Sequence, residues 1–403
     1  MRSIKEIFVP GHGPSSSHTM GPAKAAEYIL DKYKNQKIEE IEVTLYGSLS
    51  ATGKGHLTDY ILDLKLKKIK HQIIFDNKAK VTHPNTMLFI VKTSKKIFKE
   101  KIISIGGGTI VTEEINSNEK PDTYPHNLIS DILRYCDDNK LSLVDYVKKF
   151  EDKDILEYME NAYQIMQKAF ERGIRTKGTL PGPLKLKRKA PSMFSHLLKE
   201  EEESKSDWKN YELIMFIASF AIAEENACGG EIVTAPTCGS AGVLPGCMAY
   251  LEARGNDHHN ILESMLVAGL VGMICKTNAS ISGAEAGCQA EIGVACAMGA
   301  VLIANARGFN NRMIMQAAEI ALEHSLGLTC DPILGYVQVP CIERCAMFAL
   351  KAKNAVMLTK LLVDETPIIS FDDTVKTMYE TGKDLQEGYR ETSQKGLASL
   401  MKH

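Results

Sequence analysis

The sequence lacks an excess of charge of either sign. Its 48 basic and 50 acidic side chains leave a formal net charge of −2. That balance carries neither the electrostatic footprint of a nucleic-acid-binding protein nor that of a protein bound to a membrane surface. We therefore expect no nucleic-acid partner and no membrane partner, and a small molecule as the ligand. Self-association into a homodimer is left open.

Long hydrophobic runs are also missing. Residues 1–13 have no extended apolar stretch of the kind a secretory signal requires. The longest apolar run, residues 265–275, is about half of the ~20 residues that span a bilayer, so we interpret it as a buried helix. A cytoplasmic protein is expected. Because the cytosol keeps thiols reduced, the ten cysteines should be free, reactive or metal-bound.

The cysteines form no C-x-x-C pair, which disfavours a zinc ribbon, a thioredoxin-like motif and a ferredoxin-type binding run. Instead, Cys288, Cys330 and Cys341 each stand beside a turn that contains Gly or Pro, where thiolates can project into a shared space. Three cysteine ligands would leave one iron of a cluster open. A buried cysteine is commonly just a small hydrophobic residue, so spacing alone leaves both interpretations standing.

The hydrophobic pattern changes along the chain. Alternating or β-rich segments predict strands, and periodic segments predict helices. The predicted strands are residues 41–46, 87–91 and 102–105, and the predicted early helices are residues 22–33 and 57–66. From residue 207 onward the sequence predicts helices almost throughout, interrupted by Gly/Pro loops at residues 229–242, 280–287 and 329–340.

A length of 403 residues suggests two domains. We predict an α+β fold in which residues 1–150 form an N-terminal α/β domain with a small sheet. Residues 151–190 are predicted to form a helical and basic Gly/Pro linker, and residues 191–403 a larger all-helical domain.

The densest polar signal is a loop held by Gly and Pro that leads into a predicted helix. It contains Ser15, Ser16, Ser17, His18 and Thr19. A helix N-terminus has unpaired N–H groups and a positive dipole end, and hydroxyls complete the hydrogen bonds of a bound anion. A substrate carboxylate fits such a loop. Ordinary capping by one hydroxyl is the alternative, but a single cap does not need five such side chains.

A second polar signal follows the first predicted strand, where Lys54 and His56 are flanked by glycines in the sequence TGKGH. A histidine there can act as a general base, because its pKa lies near working pH. A surface-loop histidine and a phosphate-binding loop are the alternatives. The glycine spacing does not match a P-loop, so Lys54 is no P-loop lysine.

Taken together, these segments resemble the bacterial iron-sulfur L-serine dehydratases. The resemblance includes the serine-rich loop, TGKGH, and His83-Pro84-Asn85. It continues through residues 106–108, 180–191, 224–239, 278–293 and 326–344, in the family's order. It implies an N-terminal α/β domain and a C-terminal helical domain, with a [4Fe-4S] cluster bound by Cys288, Cys330 and Cys341.

The resemblance also implies substrate contacts from Ser15, Ser16, Ser17, His18 and Thr19, and His56 as the base, with Lys54 as a further catalytic candidate. An open iron would act as a Lewis acid while water is eliminated from L-serine, giving pyruvate and ammonia. Such an enzyme would serve amino-acid catabolism and gluconeogenesis. A pyridoxal-phosphate route would need a lysine that forms a Schiff base and a Gly-rich loop that binds the phosphate. Lys54 is the one glycine-flanked candidate for that lysine, so this route is disfavoured.

Four residues near the expected cluster depart from the family's pattern. They are Cys238, Ser240, Leu334 and Cys345, where Asn, Ala, Gly and Asn are usual. The chain also ends in LMKH instead of the cysteine tail of some relatives, which makes self-inhibition by such a tail unexpected. Two alternatives therefore stay open: a related lyase acting on another amino acid, such as a cysteine desulfidase, and a non-catalytic iron-sulfur sensor of redox state or serine.

Overall fold

The structure is a computed structural model that describes residues 1–105, 107–112, 121–203, 211–363, 365 and 367–401, without the side chains of residues 200–203 and 401. Predictions that involve Gly106, the start of the helical region at Asp207, and the last two residues lie outside the described residues.

Seven strands lie within the described residues. They are β1 (Pro10–His12), β2 (Ile38–Tyr46), β3 (Lys70–Asp76), β4 (Thr86–Thr93), β5 (Ile97–Ser104), β6 (Ile110–Val111) and β7 (Glu231–Val233). Five of them form one sheet in the order β3-β2-β4-β5-β6, while β1 pairs with β7 alone. Strands β2 and β3 are parallel and the other neighbours are antiparallel. Because parallel strands need a crossover, two helices separate β2 from β3.

Fifteen α-helices lie in the same part of the chain. They are α1 (Gly21–Lys32), α2 (Gly47–Thr52), α3 (Thr58–Leu66), α4 (Ile129–Asn139), α5 (Leu143–Phe150), α6 (Ile155–Arg175), α7 (Ala190–Glu203), α8 (Tyr211–Ala227), α9 (Val243–Ala253), α10 (His258–Asn278), α11 (Gly283–Ala286), α12 (Ile292–Ala306), α13 (Asn311–Glu323), α14 (Cys341–Leu361) and α15 (Phe371–Asp384). The predicted α+β fold is confirmed.

The sheet has its own small core. Alternate residues of β2, namely Ile41, Val43 and Leu45, are fully buried with Ala25, Ile29 and Leu62 of helices α1 and α3. Since side chains of a strand point alternately to its two faces, this alternation shows that the helices cover one face of the sheet.

The larger core lies among the helices. Helix α12 is buried along almost its whole length and packs against α9, α10, α13 and α14. Its residues are therefore apolar on every side, as expected for a central helix. The segments His258–Asn278 and Cys288–Ala306 are long and apolar enough to span a membrane, but 78% and 89% of their most apolar windows are buried inside the fold. Both are core helices here.

The N-terminal residues join the helical core before the sheet begins. Ile4, Ile7 and Phe8 are buried among the core helices. Strand β1 then pairs with β7, with Pro10 opposite Val233. The serine-rich loop follows directly, so this pairing places the loop between the sheet and the helices. Helices α4 and α5 also pack in the helical core. The domain boundaries at residues 150 and 190 remain a prediction.

Most predicted strands and helices begin and end within five residues of the predicted positions. Strand β5 begins at Ile97, earlier than expected. Its first half alternates between exposed and partly buried residues, so it lacks the apolar run by which residues 102–105 were predicted. Strand β3 was not predicted, since its sequence KHQIIFD is polar at both ends. The predicted loop at residues 229–242 contains β7, and that at residues 280–287 contains α11.

Candidate active site

A cavity lies where the serine-rich loop, the TGKGH loop and the helical core meet. It is lined by Pro14, Ser15, His56, Gly239, Cys288, Glu291, Ile292, Cys330, Pro332, Val337, Cys341, Arg344 and Glu391. The structure therefore brings together five residues singled out from the sequence: Ser15, His56 and the three cysteines.

The serine-rich loop is a turn of π-helix over Ser16–Met20 that runs into α1. Ser15 caps this turn, because its side-chain oxygen accepts the N–H of His18 at 3.1 Å. Thr19 connects the loop to its neighbour: its hydroxyl accepts the N–H of Ser15 at 3.1 Å and donates to the carbonyl of His56 at 2.6 Å. Ser16 and Ser17 are buried in the same turn.

His18 is fully buried behind the cavity wall. Its Nδ1 lies 2.8 Å from the hydroxyl of Ser17 and its Nε2 lies 3.0 Å from that of Ser48. Burial lowers the pKa of His18 well below its ordinary value, and the neighbouring His56 lowers it further. Both ring nitrogens have partners, so His18 holds the loop and helix α2 together. Ser48 was not anticipated from the sequence.

His56 is the cavity histidine, and its hydrogen bonding determines its tautomer. Its Nδ1 lies 2.9 Å from the carbonyl oxygen of Thr52. A carbonyl oxygen only accepts, so Nδ1 carries the hydrogen and Nε2 carries the lone pair. Among the described residues, Nε2 has no hydrogen-bond partner. Burial lowers the pKa of His56 to about 4. The ring is therefore neutral at pH 7, with a free lone pair in a closed site.

Glycines beside His56 serve close packing. A Cβ on Gly55 would lie 2.7 Å from the carbonyl oxygen of Gly335, so no larger residue fits unless the loop around residues 334–335 moves. Lys54, by contrast, is exposed, and its Nζ lies 5.5 Å from the centre of the Phe75 ring. Lys54 does not line the cavity, so the structure does not bring it to the other predicted site residues.

The three cysteines reach the cavity from three turns. Cys288 starts a short 3-10 turn after Gly287, whose φ is +75°. Cys330 precedes the turn at Ile333–Gly335, and Cys341 is the first residue of α14. The pKa of the Cys288 thiol is lowered, chiefly by a hydrogen bond from Cys330 and then by the charge of Arg344. Burial raises the pKa of Cys341. Three thiols facing one cavity are a donor set that fits an iron-sulfur cluster.

The other seven cysteines are free thiols outside this cavity lining. Two of them are departures from the family's pattern. Cys238 is buried with its Sγ 3.3 Å from the sulfur of Met20, and the Sγ of Cys345 lies 3.4 Å from the carbonyl oxygen of Gly239. Burial raises the pKa of Cys345 to about 12, so this thiol stays protonated at neutral pH. Both side chains fill the wall behind the cavity.

Leu334, another departure, has a φ of +54°. This left-handed conformation is unfavourable for a bulky residue and easy for glycine. It explains why a glycine is usual at this position. The side chain of Leu334 is 39% exposed, so it does not enter the cavity.

Acidic side chains in the cavity were missed by the sequence analysis. Glu391 is buried, and its Oε1 lies 3.4 Å from Nε2 of His56 and 3.8 Å from Nδ1 of His18. Burial raises the pKa of Glu391 well above its ordinary value, and the negative charges of Glu291 and Cys288 add to this. Burial likewise raises the pKa of Glu291, to about 8. No periodic pattern or motif marks residue 391.

The segment His83-Pro84-Asn85 lies near this site without lining it. Nε2 of His83 is 3.3 Å from Glu285. Asn85 is buried, and neither amide atom of its side chain has a hydrogen-bond partner among the described residues. The Asn85 carbonyl accepts the N–H of Ser104, which fixes this turn to the sheet.

Comparisons with known proteins give one family. The family model for the serine dehydratase alpha chain matches residues 35–398. The chain is 40% identical to an L-serine dehydratase of Haemophilus influenzae, with 99% of each chain covered. It is 38% identical to L-serine dehydratase 2 of Escherichia coli, covering 99% of this chain and 98% of that one. It is 37% identical to an L-serine dehydratase of Helicobacter pylori, with 99% of each covered. On the strength of the match across residues 35–398 and of these full-length relatives, the chain belongs to the serine dehydratase alpha chain family.

Proposed function

We propose that this protein is an L-serine dehydratase, a lyase that eliminates water from L-serine to give pyruvate and ammonia. Full-length relatives carrying that name support the activity. The observation that carries the proposal is the cavity itself, where His56, Ser15 and three cysteines face one space.

The proposed cofactor is a [4Fe-4S] cluster held by Cys288, Cys330 and Cys341. Support comes from the donor set, since all three thiols line the cavity and Arg344 supplies a positive charge beside the Cys288 thiol. Held by these three residues, the cluster would leave one iron open and would supply Lewis-acid chemistry at the β-hydroxyl group of the substrate. The remaining steps belong to side chains of the protein.

His56 is the proposed general base. Its Nε2 has a free lone pair because Nδ1 is committed to the carbonyl of Thr52. Removal of the Cα proton by Nε2 leaves the electron pair that forms the Cα–Cβ double bond as the C–O bond to the β-hydroxyl breaks. The departing hydroxide and the proton taken up by His56 together make the water that is eliminated, which returns His56 to its neutral form. The product, aminoacrylate, becomes an imine and is hydrolysed by water to pyruvate and ammonia. The hydrogen bond to Thr52 also holds the ring in place during this transfer.

The serine-rich loop is proposed to bind the substrate carboxylate. Ser15 lines the cavity directly, whereas Ser16, Ser17, His18 and Thr19 are buried behind it. We therefore assign the direct contact to Ser15 and a positioning role to the other four. Lys54 remains a sequence prediction, and its exposed position gives it no route to the substrate.

The proposal extends to the location, the partners and the metabolic role of the whole protein. All ten cysteines are free thiols, which supports a reducing, cytoplasmic location. A homodimer without nucleic-acid or membrane partners, working in amino-acid catabolism and gluconeogenesis, completes the proposal.

The test is anaerobic reconstitution of the protein with iron and sulfide, followed by assays on L-serine, L-threonine and L-cysteine. We expect pyruvate from L-serine at the highest kcat/KM. Sulfide release from L-cysteine as the main activity would instead identify a desulfidase. A fully loaded protein that turns over none of the three would point to a sensor.

A further inference from the structure

We propose that Glu391 forms an ammonium-binding subsite, which receives the α-ammonium group of an amino-acid substrate in this cavity. The inference rests on the proposed action on an amino acid and adds the residue that would distinguish an amino acid from a hydroxy acid.

The position of Glu391 is fixed by its backbone. Its N–H donates to the carbonyl of Cys330 at 2.7 Å, and the N–H of Cys330 donates to the carbonyl of Tyr389 at 2.8 Å. The hydroxyl of Ser48 donates to the Glu391 carbonyl at 3.3 Å. This backbone pairing holds the Glu391 carboxylate against the cavity, next to the proposed base and a proposed cluster ligand.

The carboxylate of Glu391 has no fixed cation beside it. In the part of the chain that the structure describes, its ion-pair contacts are His18 and His56 alone. Both imidazoles are neutral at pH 7, because burial lowers their pKa. A buried carboxylate needs a cation or several hydrogen-bond donors to remain charged. A cation that arrives with the substrate would meet this need.

A second carboxylate in the cavity serves as a comparison. Burial raises the pKa of Glu291 to about 8, although the hydroxyl of Thr237 and, to a smaller extent, the charge of Arg344 act in the opposite direction. Arg344 is held nearby, since it donates to the carbonyl of Thr329 at 2.8 Å. The carboxylate that pairs with Arg344 is Asp331, at 3.7 Å. Glu391 faces the two neutral rings, and the backbone N–H of Ala284 is what favours its charged form.

The same contact would place the substrate for proton removal. The ammonium nitrogen is bonded to Cα at about 1.5 Å. An ammonium group that donates to Oε1 of Glu391 therefore brings Cα to the neighbourhood of Nε2 of His56, which is 3.4 Å from that oxygen. With the carboxylate on Ser15, the substrate would be held at both charged ends, and a zwitterionic α-amino acid is the ligand class that satisfies both.

The test compares two ligands that differ in the charged group. L-Alanine and L-lactate both lack the β-hydroxyl, but L-lactate carries a hydroxyl in place of the ammonium. Their dissociation constants are measured by calorimetry on the cluster-loaded protein, for the wild type, Glu391→Gln and Glu391→Asp. Glu285→Gln is the matched control, because Glu285 is a nearby carboxylate that pairs with His83 outside the cavity lining.

We expect the wild type and Glu285→Gln to prefer L-alanine. Glu391→Gln should weaken L-alanine binding about 10- to 100-fold, the usual value of a hydrogen-bonded charge, and leave L-lactate binding nearly unchanged. Glu391→Asp keeps the charge and should retain part of the preference. Equal losses for both ligands, or an unchanged preference in Glu391→Gln, would overturn the inference.

This result is separate from that of the serine assay. A protein that forms pyruvate from L-serine but keeps its L-alanine preference in Glu391→Gln would retain the proposed function and lose the ammonium subsite. A wild type that binds L-alanine no better than L-lactate would also rule out the subsite, whatever its turnover.

Discussion

The Nε2 atom of His56 and the Oε1 atom of Glu391 face each other at 3.4 Å, although they come from opposite ends of the sequence. The tautomer of His56 leaves Nε2 as an acceptor, and no described residue hydrogen-bonds to it. A proton acceptor and a carboxylate thus line the same cavity as the three cysteines.

His56→Ala should lower kcat about 10²- to 10⁴-fold while iron content stays normal, because general-base catalysis contributes by that order. The measurement is steady-state kinetics with L-serine and with Cα-deuterated L-serine. His71→Ala is the control, since His71 pairs with Asp63 away from the cavity. A near-normal kcat in His56→Ala would assign the base to another residue.

Replacing Cys288, Cys330 or Cys341 by Ser should remove most of the iron and the visible charge-transfer absorption, since each thiol faces the cavity. Cys238→Ser and Cys345→Ser should keep both, because those side chains are buried in the wall. Iron analysis after anaerobic reconstitution measures this difference. If Cys345 were needed for iron and Cys330 were not, the proposed ligand set would be incorrect.

The pH profile of kcat/KM should show no fall in activity near pH 6.5 caused by protonation of His56. Burial lowers the pKa of His56 to about 4, so its neutral, active form predominates from pH 5 upward. The same lowered pKa makes the free energy of unfolding depend on pH. Between the folded pKa and the unfolded value, the unfolded chain binds more protons, so stability falls as pH decreases through that window. A limb at pH 6.5 that disappears in His56→Asn would contradict this prediction.

Gly55→Ala should reduce kcat at least 10-fold and cost about 1–3 kcal/mol of stability, the usual cost of overpacking. The added Cβ would lie 2.7 Å from the carbonyl oxygen of Gly335, next to the residue that carries the proposed base. Lys54→Ala is the neighbouring control and should change kcat little, because Lys54 is exposed. Kinetics together with thermal unfolding separate the two effects. A large loss in Lys54→Ala would support the catalytic role predicted for it from the sequence.

Leu334→Gly should raise the free energy of unfolding by about 0.5–1 kcal/mol, because relief of a left-handed conformation outweighs the added chain entropy of glycine. The φ of Leu334 is +54° and its side chain is partly exposed, so little packing is lost. Urea unfolding of the cluster-free protein measures the change. A destabilised variant would mean that the Leu334 side chain contributes packing that exceeds the strain.

The sequence predicted the local features of the fold well, since these depend on neighbouring residues. The alternation at residues 41–46 predicted β2, and turn-forming residues marked the places where Cys288 and Cys341 project. The role of Lys54 remains a prediction. Its flanking glycines suggested a ligand-binding loop, but Gly55 is required by the close approach of Gly335, a contact between distant parts of the chain.

Glu391 could not have been found in the same way. It stands in YRETS, a short polar segment without periodicity, and its environment is created by residues such as Ser48 and Cys330 from other elements. Ser48 lies inside a short helix where a hydroxyl has no special pattern. Both residues gain their roles from tertiary contacts, which local propensity does not encode.

The backbone pairing of Cys330 with residues 389 and 391 also bears on how the protein is made. On the proposed cofactor assignment, the cluster ligand Cys330 would obtain its final neighbours only after residue 391 has left the ribosome. Contacts between such distant residues form late in folding. The ligand set of Cys288, Cys330 and Cys341 would then be complete only after that point. Delivery of iron and sulfide would follow the synthesis of all three cysteines, and oxidants would compete for the same thiols until a cluster forms.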